Sequence, residues 1–140
     1  MKTGFLAGVA VALALAGSAP AQTTPSEGAF VVFFSLNRAA IMPDMAGILD
    51  NAAAAFLQGG HRQILLAGHA DRAGSAASNM SLSQRRTEVV RAYLAGRGVP
   101  VGAIVTDALG EQRPRVGTRD GIREPQNRRV EITFGPRPAM

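Results

Sequence analysis

Within Gly68 to Arg86 (GHADRAGSAASNMSLSQRR), two residues place charge where charge is costly. Counting at 3.6 residues per turn from Leu82, the inward arc of a helix holds Leu82, Val89, Val90, Tyr93 and Leu94, with Arg86 in its middle. An arginine aimed into an apolar face needs a carboxylate, a ligand anion or a route to water. The nearest acid upstream is Asp71. Together the two residues define a charged site, and the residue pattern leaves two readings open: a ligand clamp, or a structural ion pair tying loop to helix. His69 raises metal binding or general-base chemistry, but no second His, Glu or Cys lies at ligand spacing. A lone histidine after a strand reads as a hydrogen-bonded scaffold residue, so neither metal nor cofactor is expected.

The elements around this stretch follow from periodicity. Phe30 to Phe34 is β-branched and aromatic, a strand expected to be buried on both faces. After a loop with Asn37 and Arg38, Pro43 sits where a helix starts. Met45, Ile48, Leu49, Ala52, Ala53, Phe56 and Leu57 then recur at helical spacing until Gly59-Gly60. Arg62 to Ala67 is the second strand. Ser81 with Gln84 forms a capping box for the second helix, with Asn79 as a competing start; the helix runs to about Arg97 and stops at Gly98. Ala103 to Leu109 is a third strand. A loop rich in Arg, Gly and Pro, with room for a short helix, leads to a last strand over Arg129 to Phe134. The order β-α-β-α-β-(short α)-β points to a two-layer α/β sandwich. The second helix begins beside the Asp71 loop, so its N-terminus favours an anionic group there.

Composition narrows the function classes. Lys2, an uncharged stretch from Thr3 to Ala16 and Ala19-Pro20-Ala21 read as a secretory signal cleaved after Ala21. The apolar part is short for a bilayer and carries two glycines, which disfavours a retained anchor. Residues 22–29 form a polar lead and 135–140 a tail. The chain has no cysteine, hence neither a disulfide nor a site for a lipid. Losing Lys2 lowers the net charge from +5 to +4 and leaves arginine as the only strong base, a side chain suited to bidentate contacts with carboxylates. Six arginines lie between Arg113 and Arg129. Export, the interleaved Asp120 and Glu124, and a single tyrosine argue against a nucleic-acid surface.

Five ordered blocks carry a resemblance: Gly68-His69-Ala70-Asp71, Gly74-Ser75, Asn79 with Leu82-Ser83 and Arg86, Gly110-Glu111 with Pro114, and Asn127-Arg128-Arg129-Val130-Glu131. They resemble the OmpA-like C-terminal domain family, the OmpA, Pal and MotB group that binds peptidoglycan non-covalently. The resemblance spans about Phe30 to Phe134 and implies a mixed four-stranded sheet. It also implies that Asp71 and Arg86 grip the free amino and carboxylate groups of diaminopimelate in the stem peptide. Asn79 and Arg128 would line the same pocket, the backbone around Ala70 to Arg72 would assist, and Asn37 would stand at its edge. The chemistry is apt, since an aspartate accepts from an ammonium and an arginine forks onto a carboxylate. Arg129, alternating with Arg128, should point to the opposite face as a structural or solvent-facing residue.

Several positions depart from the family pattern. Ala70 replaces the usual threonine, Ser35 and Leu36 stand where aspartate is common, Thr87 follows Arg86, and Ala108-Leu109-Gly110 replaces G-x-G. None falls on Asp71 or Arg86. The expected role is wall binding in the periplasm, in association with the outer membrane or wall, tethering or sensing it. The alternatives are an envelope adaptor with mainly protein partners and a small periplasmic hydrolase. Neither paired carboxylates nor an activated serine supports the hydrolase, and Glu111 reads as a scaffold residue.

Overall fold

The computed structural model describes residues 29–135. The expected signal over 1–21, most of the lead and the tail from 136 lie outside these residues. Four strands and two helices are present: β1 (Phe30–Phe33), α1 (Pro43–Gly59), β2 (Ile64–His69), α2 (Ala76–Gly96), β3 (Ile104–Gly110) and β4 (Arg129–Phe134). Short 3₁₀ turns over Val101–Ala103 and Pro125–Asn127 precede β3 and β4. The second of these is the short helix expected in the long loop.

α1 forms as its sequence dictates. Pro43 occupies the first turn, where its missing N–H costs nothing, and Asp44 complements the positive end of the helix. Leu49, Ala52, Ala53 and Phe56 make the buried stripe, while Leu57, expected on it, is half exposed. Gly60 ends the helix at φ 74°, a left-handed conformation that glycine adopts without steric cost.

α2 starts earlier than its capping-box signal predicts. The N-cap is Ser75, whose Oγ accepts from the Ser78 amide at 3.1 Å, and Ser81 and Gln84 lie inside the helix. Ala76 and Ala77 favour helix strongly but add no large apolar side chain to the periodic stripe, so the first turn left no trace in the hydrophobic pattern.

The strands form one mixed sheet in the order β1-β4-β2-β3. β4 is antiparallel to both neighbours, and β2 and β3 are parallel. Val32, Ile64, Leu66, Val130 and Ile132 alternate onto one face and pack with Leu49, Phe56, Val90 and Leu94 of the helices to form the core. β1 is therefore an edge strand buried on one side, with Val31 and Phe33 only partly covered, rather than a strand buried on both faces. Gly68 sets the approach of α2. A Cβ there would stand 2.5 Å from both the Ser83 carbonyl oxygen and the Thr87 methyl, so helix and strand meet closely only because position 68 has no side chain. That contact fixes where Arg86, the neighbour of Thr87, sits over the end of β2.

Candidate functional site

The site lies where the C-terminal end of β2 meets the N-terminal start of β4. Gly68 pairs with Val130, and continuing this antiparallel register sets Ala70 opposite Arg128. β1 joins the same end. The Phe34 amide donates to the Arg128 carbonyl at 2.8 Å, and Arg128 Nε–H returns a bond to the Phe34 carbonyl at 3.0 Å.

Asp71 is 3% exposed and joins two loops. Its Oδ1 accepts from the Ala73 amide at 3.2 Å. Its Oδ2 accepts from the Glu124 amide at 3.0 Å and from Arg128 Nη1 at 3.2 Å. The ionic partner of Asp71 is thus Arg128, not Arg86. A carboxylate offers about four lone-pair positions, so one remains.

Arg86 is 0% exposed, as its place on the helix predicts. Its guanidinium is caged by carbonyls rather than a carboxylate. Nε donates to Arg38 O at 2.9 Å, Nη1 to His69 O at 2.9 Å and Nη2 to Ser35 O at 3.1 Å, while the Phe34 ring stacks 5.2 Å from Cζ. Of five N–H groups, two stay uncommitted. Burial lowers its pKa to about 10, Asp71 opposes that shift, and Arg128 and Arg85 add to it. Arg86 stays cationic at neutral pH, and Asp71, Arg86 and Arg128 act as one electrostatic cluster of one acid and two bases.

The other sequence candidates surround this cluster with different commitments. The Ala70 amide is bonded to the Gly110 carbonyl at 2.8 Å. Arg72 reaches Asp120 at 3.1 Å, and its carbonyl accepts from the Gly121 amide, so it holds the arginine-rich loop against the β2–α2 connection. Buried Asn79 donates to Glu111 Oε1 at 2.8 Å, which gives Glu111 its scaffold role. Asn37 is exposed at φ 58°, in a left-handed conformation that asparagine tolerates better than most residues. It belongs to the turn in which Ser35 O accepts from the Arg38 amide as well as from Arg86.

One expectation needs correction, and one open alternative is decided. His69 is 2% exposed, and neither ring nitrogen has a hydrogen-bond partner among the described residues, so it is not a hydrogen-bonded scaffold residue. Burial first, then the Arg129 and Arg113 charges, hold its pKa at about 4 against the opposing effect of Glu131 and Asp107, and the imidazole is neutral. Arg129 points away from Arg128, as expected, and of its two expected roles, structural or solvent-facing, it takes the structural one. It bonds Glu131 at 2.7 Å and the Arg113 carbonyl at 3.2 Å.

Asn127 organises the loop below the site and went unnoticed beyond its place in the last sequence block. Fully buried, it accepts from the Arg115 and Val116 amides at 2.7 and 2.8 Å and donates to Val116 O at 2.8 Å. Beside Arg128 lies a cleft of about 360 Å³, lined by Phe33, Phe34, Ser35 and Met42 from the start of the domain and by Pro125, Gln126 and Arg128 from its end. Among the described residues no cluster of His, Asp or Glu could hold a metal ion, and no helix is long and apolar enough to cross a membrane.

A mixed four-stranded sheet with two helices packed on one face and a charge junction at the β2/β4 end is the architecture of a known class. The OmpA family matches residues 33–128, and the chain belongs to that family, whose domains are non-enzymatic. It is 33% identical over 103 residues to a peptidoglycan-associated lipoprotein of Haemophilus influenzae, covering 74% of this chain and 67% of that one. It is 38% identical over 109 residues to an outer membrane protein of Gluconacetobacter diazotrophicus, of which the match covers only 29% against 74% of this chain. Among solved structures, the peptidoglycan-associated lipoprotein of Burkholderia pseudomallei superposes with a TM-score of 0.70 at 26% identity, covering 76% of this chain and 90% of that one. The C-terminal domain of Helicobacter pylori MotB shares the fold, with a TM-score of 0.66 at 23% identity over 76% of this chain and 84% of that one.

Proposed function

We propose that this protein binds cell-wall peptidoglycan non-covalently in the periplasm, after export directed by residues 1–21, and tethers or senses the wall by holding the diaminopimelate of a stem peptide. One juxtaposition supports this reading: Asp71 and the guanidiniums of Arg86 and Arg128 form a buried junction at one end of the sheet. The family relatives named as peptidoglycan-associated lipoproteins agree with it.

The free end of diaminopimelate carries an ammonium and a carboxylate on one carbon. The ammonium takes the remaining lone-pair position of Asp71, and the carboxylate takes the two uncommitted N–H groups of Arg86. Because Arg86 is fully covered, that contact requires the turn over residues 35–38 to shift and its carbonyls to give way to a stronger, charged acceptor. Arg128 holds the Asp71 carboxylate in orientation through its 3.2 Å contact. Asn79 and Glu111 hold the first turns of α2, and Ala70, Arg72 and Asn37 shape the rim.

Co-sedimentation with insoluble diaminopimelate-type peptidoglycan, competed by free diaminopimelate, tests the reading. Asp71→Asn combined with Arg128→Gln should abolish retention while circular dichroism stays native. Retention by that folded variant equal to the parent's would overturn the site. A protein partner that remains bound after complete wall digestion, with no retention on wall material, would overturn the function.

A further inference from the structure

The cleft beside Arg128 has no task in holding diaminopimelate. It is lined by Phe33, Phe34, Met42 and Pro125 with Ser35 and Gln126, and its one charged lining residue is Arg128. Arg128 commits Nε to the Phe34 carbonyl and Nη1 to Asp71, and among the described residues its Nη2 donates to nothing. An apolar cavity with a single unsatisfied guanidinium nitrogen suits a ligand group that joins a small apolar side chain to a carboxylate. At about 360 Å³ the space is near the small end of the range of roughly 300–1,000 Å³ typical of ligand pockets.

Charge makes the same demand. Asp71, Arg86 and Arg128 together carry one positive charge in excess. A zwitterionic diaminopimelate head adds one charge of each sign and leaves that excess in place. A second ligand carboxylate neutralises it. Arg128 is common to the cleft and the charged cluster. A stem ending at diaminopimelate has a second carboxylate of its own. The apolar lining calls for a side chain as well, which assigns the second carboxylate to the residue after the diaminopimelate.

We infer that this cleft is a second subsite, which takes the alanine following diaminopimelate in the stem peptide, its methyl against Phe34 and Met42 and its free carboxylate on Arg128 Nη2. The inference rests on the peptidoglycan reading and adds a preference to it: the protein selects stems that end in a free alanine carboxylate over stems that are trimmed at diaminopimelate or blocked at their C-terminus.

Calorimetric titration of the purified full-length protein with three synthetic stems tests this: one ending at diaminopimelate, one ending in alanine, and the alanine stem as its C-terminal amide. The free alanine stem should bind about tenfold more tightly than either of the others, the scale of one charge-assisted hydrogen bond. Gln126→Trp, at an exposed position lining the cleft, should erase that advantage and leave binding of the shorter stem unchanged. Met42→Phe, which fills the cleft from the other side of the sequence, should do the same, so failure of either variant to fold leaves the other as the test. Equal affinity for all three stems overturns the subsite alone. Binding of none of them overturns both the subsite and the peptidoglycan reading.

Discussion

Arg128 Nη1 stands 3.2 Å from Asp71 Oδ2, joining the residue before β4 to the loop after β2 across 57 positions of sequence. Both side chains are largely withdrawn from solvent, so the pair is poorly screened, and each partner also binds backbone. The contact therefore fastens the arginine-rich loop to the sheet.

A double-mutant cycle between Asp71→Asn and Arg128→Gln measures that fastening. The expected coupling is about 1–3 kcal/mol in urea unfolding, the range for contacting charged partners. Each single variant should cost more than its share of the pair, because it leaves the other charge half-buried and unmatched. A coupling near zero would show that the contact adds nothing to stability.

Arg86 should matter for folding before it matters for binding. Arg86→Met removes donors from the carbonyls of Ser35, Arg38 and His69 at once, and the expected loss is about 3 kcal/mol or more. Arg86→Lys keeps the charge but not the three-way fork, and should fall between parent and Met variant. An unfolding midpoint for Arg86→Met equal to that of the parent would rule out the carbonyl cage as a stabilising device.

His69 should give the protein a marked acid sensitivity. Its pKa is about 4 in the folded chain against 6.5 ordinarily. Between these values the unfolded chain takes up a proton that the native state refuses, so this contribution is complete above pH 6.5 and is lost as pH falls towards 4. The size is about 3 kcal/mol. Unfolding free energies of the parent and of His69→Leu, compared at pH 7 and pH 4.5, should differ in slope, with the variant the flatter. Parallel pH profiles would contradict a buried neutral imidazole.

The parts legible from the sequence were those that repeat. The stripe Leu49, Ala52, Ala53, Phe56 announced α1, the alternation from Arg129 to Phe134 announced β4, and helical counting placed Arg86 inside. What could not be read were contacts made by folding. The nearest acid to Arg86 in the chain is Asp71, yet that acid's partner arrives from the far end of the sequence, through strand order that no local pattern encodes. Ser75, Ser78, Asn79 and Ser81 are all competent caps, and the choice among them falls to Ser75, whose side chain meets the Ser78 amide. Asn127 looks like any loop asparagine until its three bonds to residues 115 and 116 are seen. The edge position of β1 likewise depends on β4 occupying the place beside it.

That arrangement has a consequence for how the molecule comes into being. Among the described residues β1 has β4 as its only sheet neighbour, and β4 is the last of these four strands to be synthesised. A chain emerging N-terminus first must hold its opening strand without a hydrogen-bonded partner until some hundred residues have followed, and pairings so distant in sequence form slowly. Arg128 directly precedes β4 and shares backbone bonds with Phe34 at the end of β1. Closing the sheet and assembling the charged cluster are then a single event, so a chain truncated before β4 lacks both. The junction of Asp71 and Arg128 comes into existence only at the moment the fold is complete.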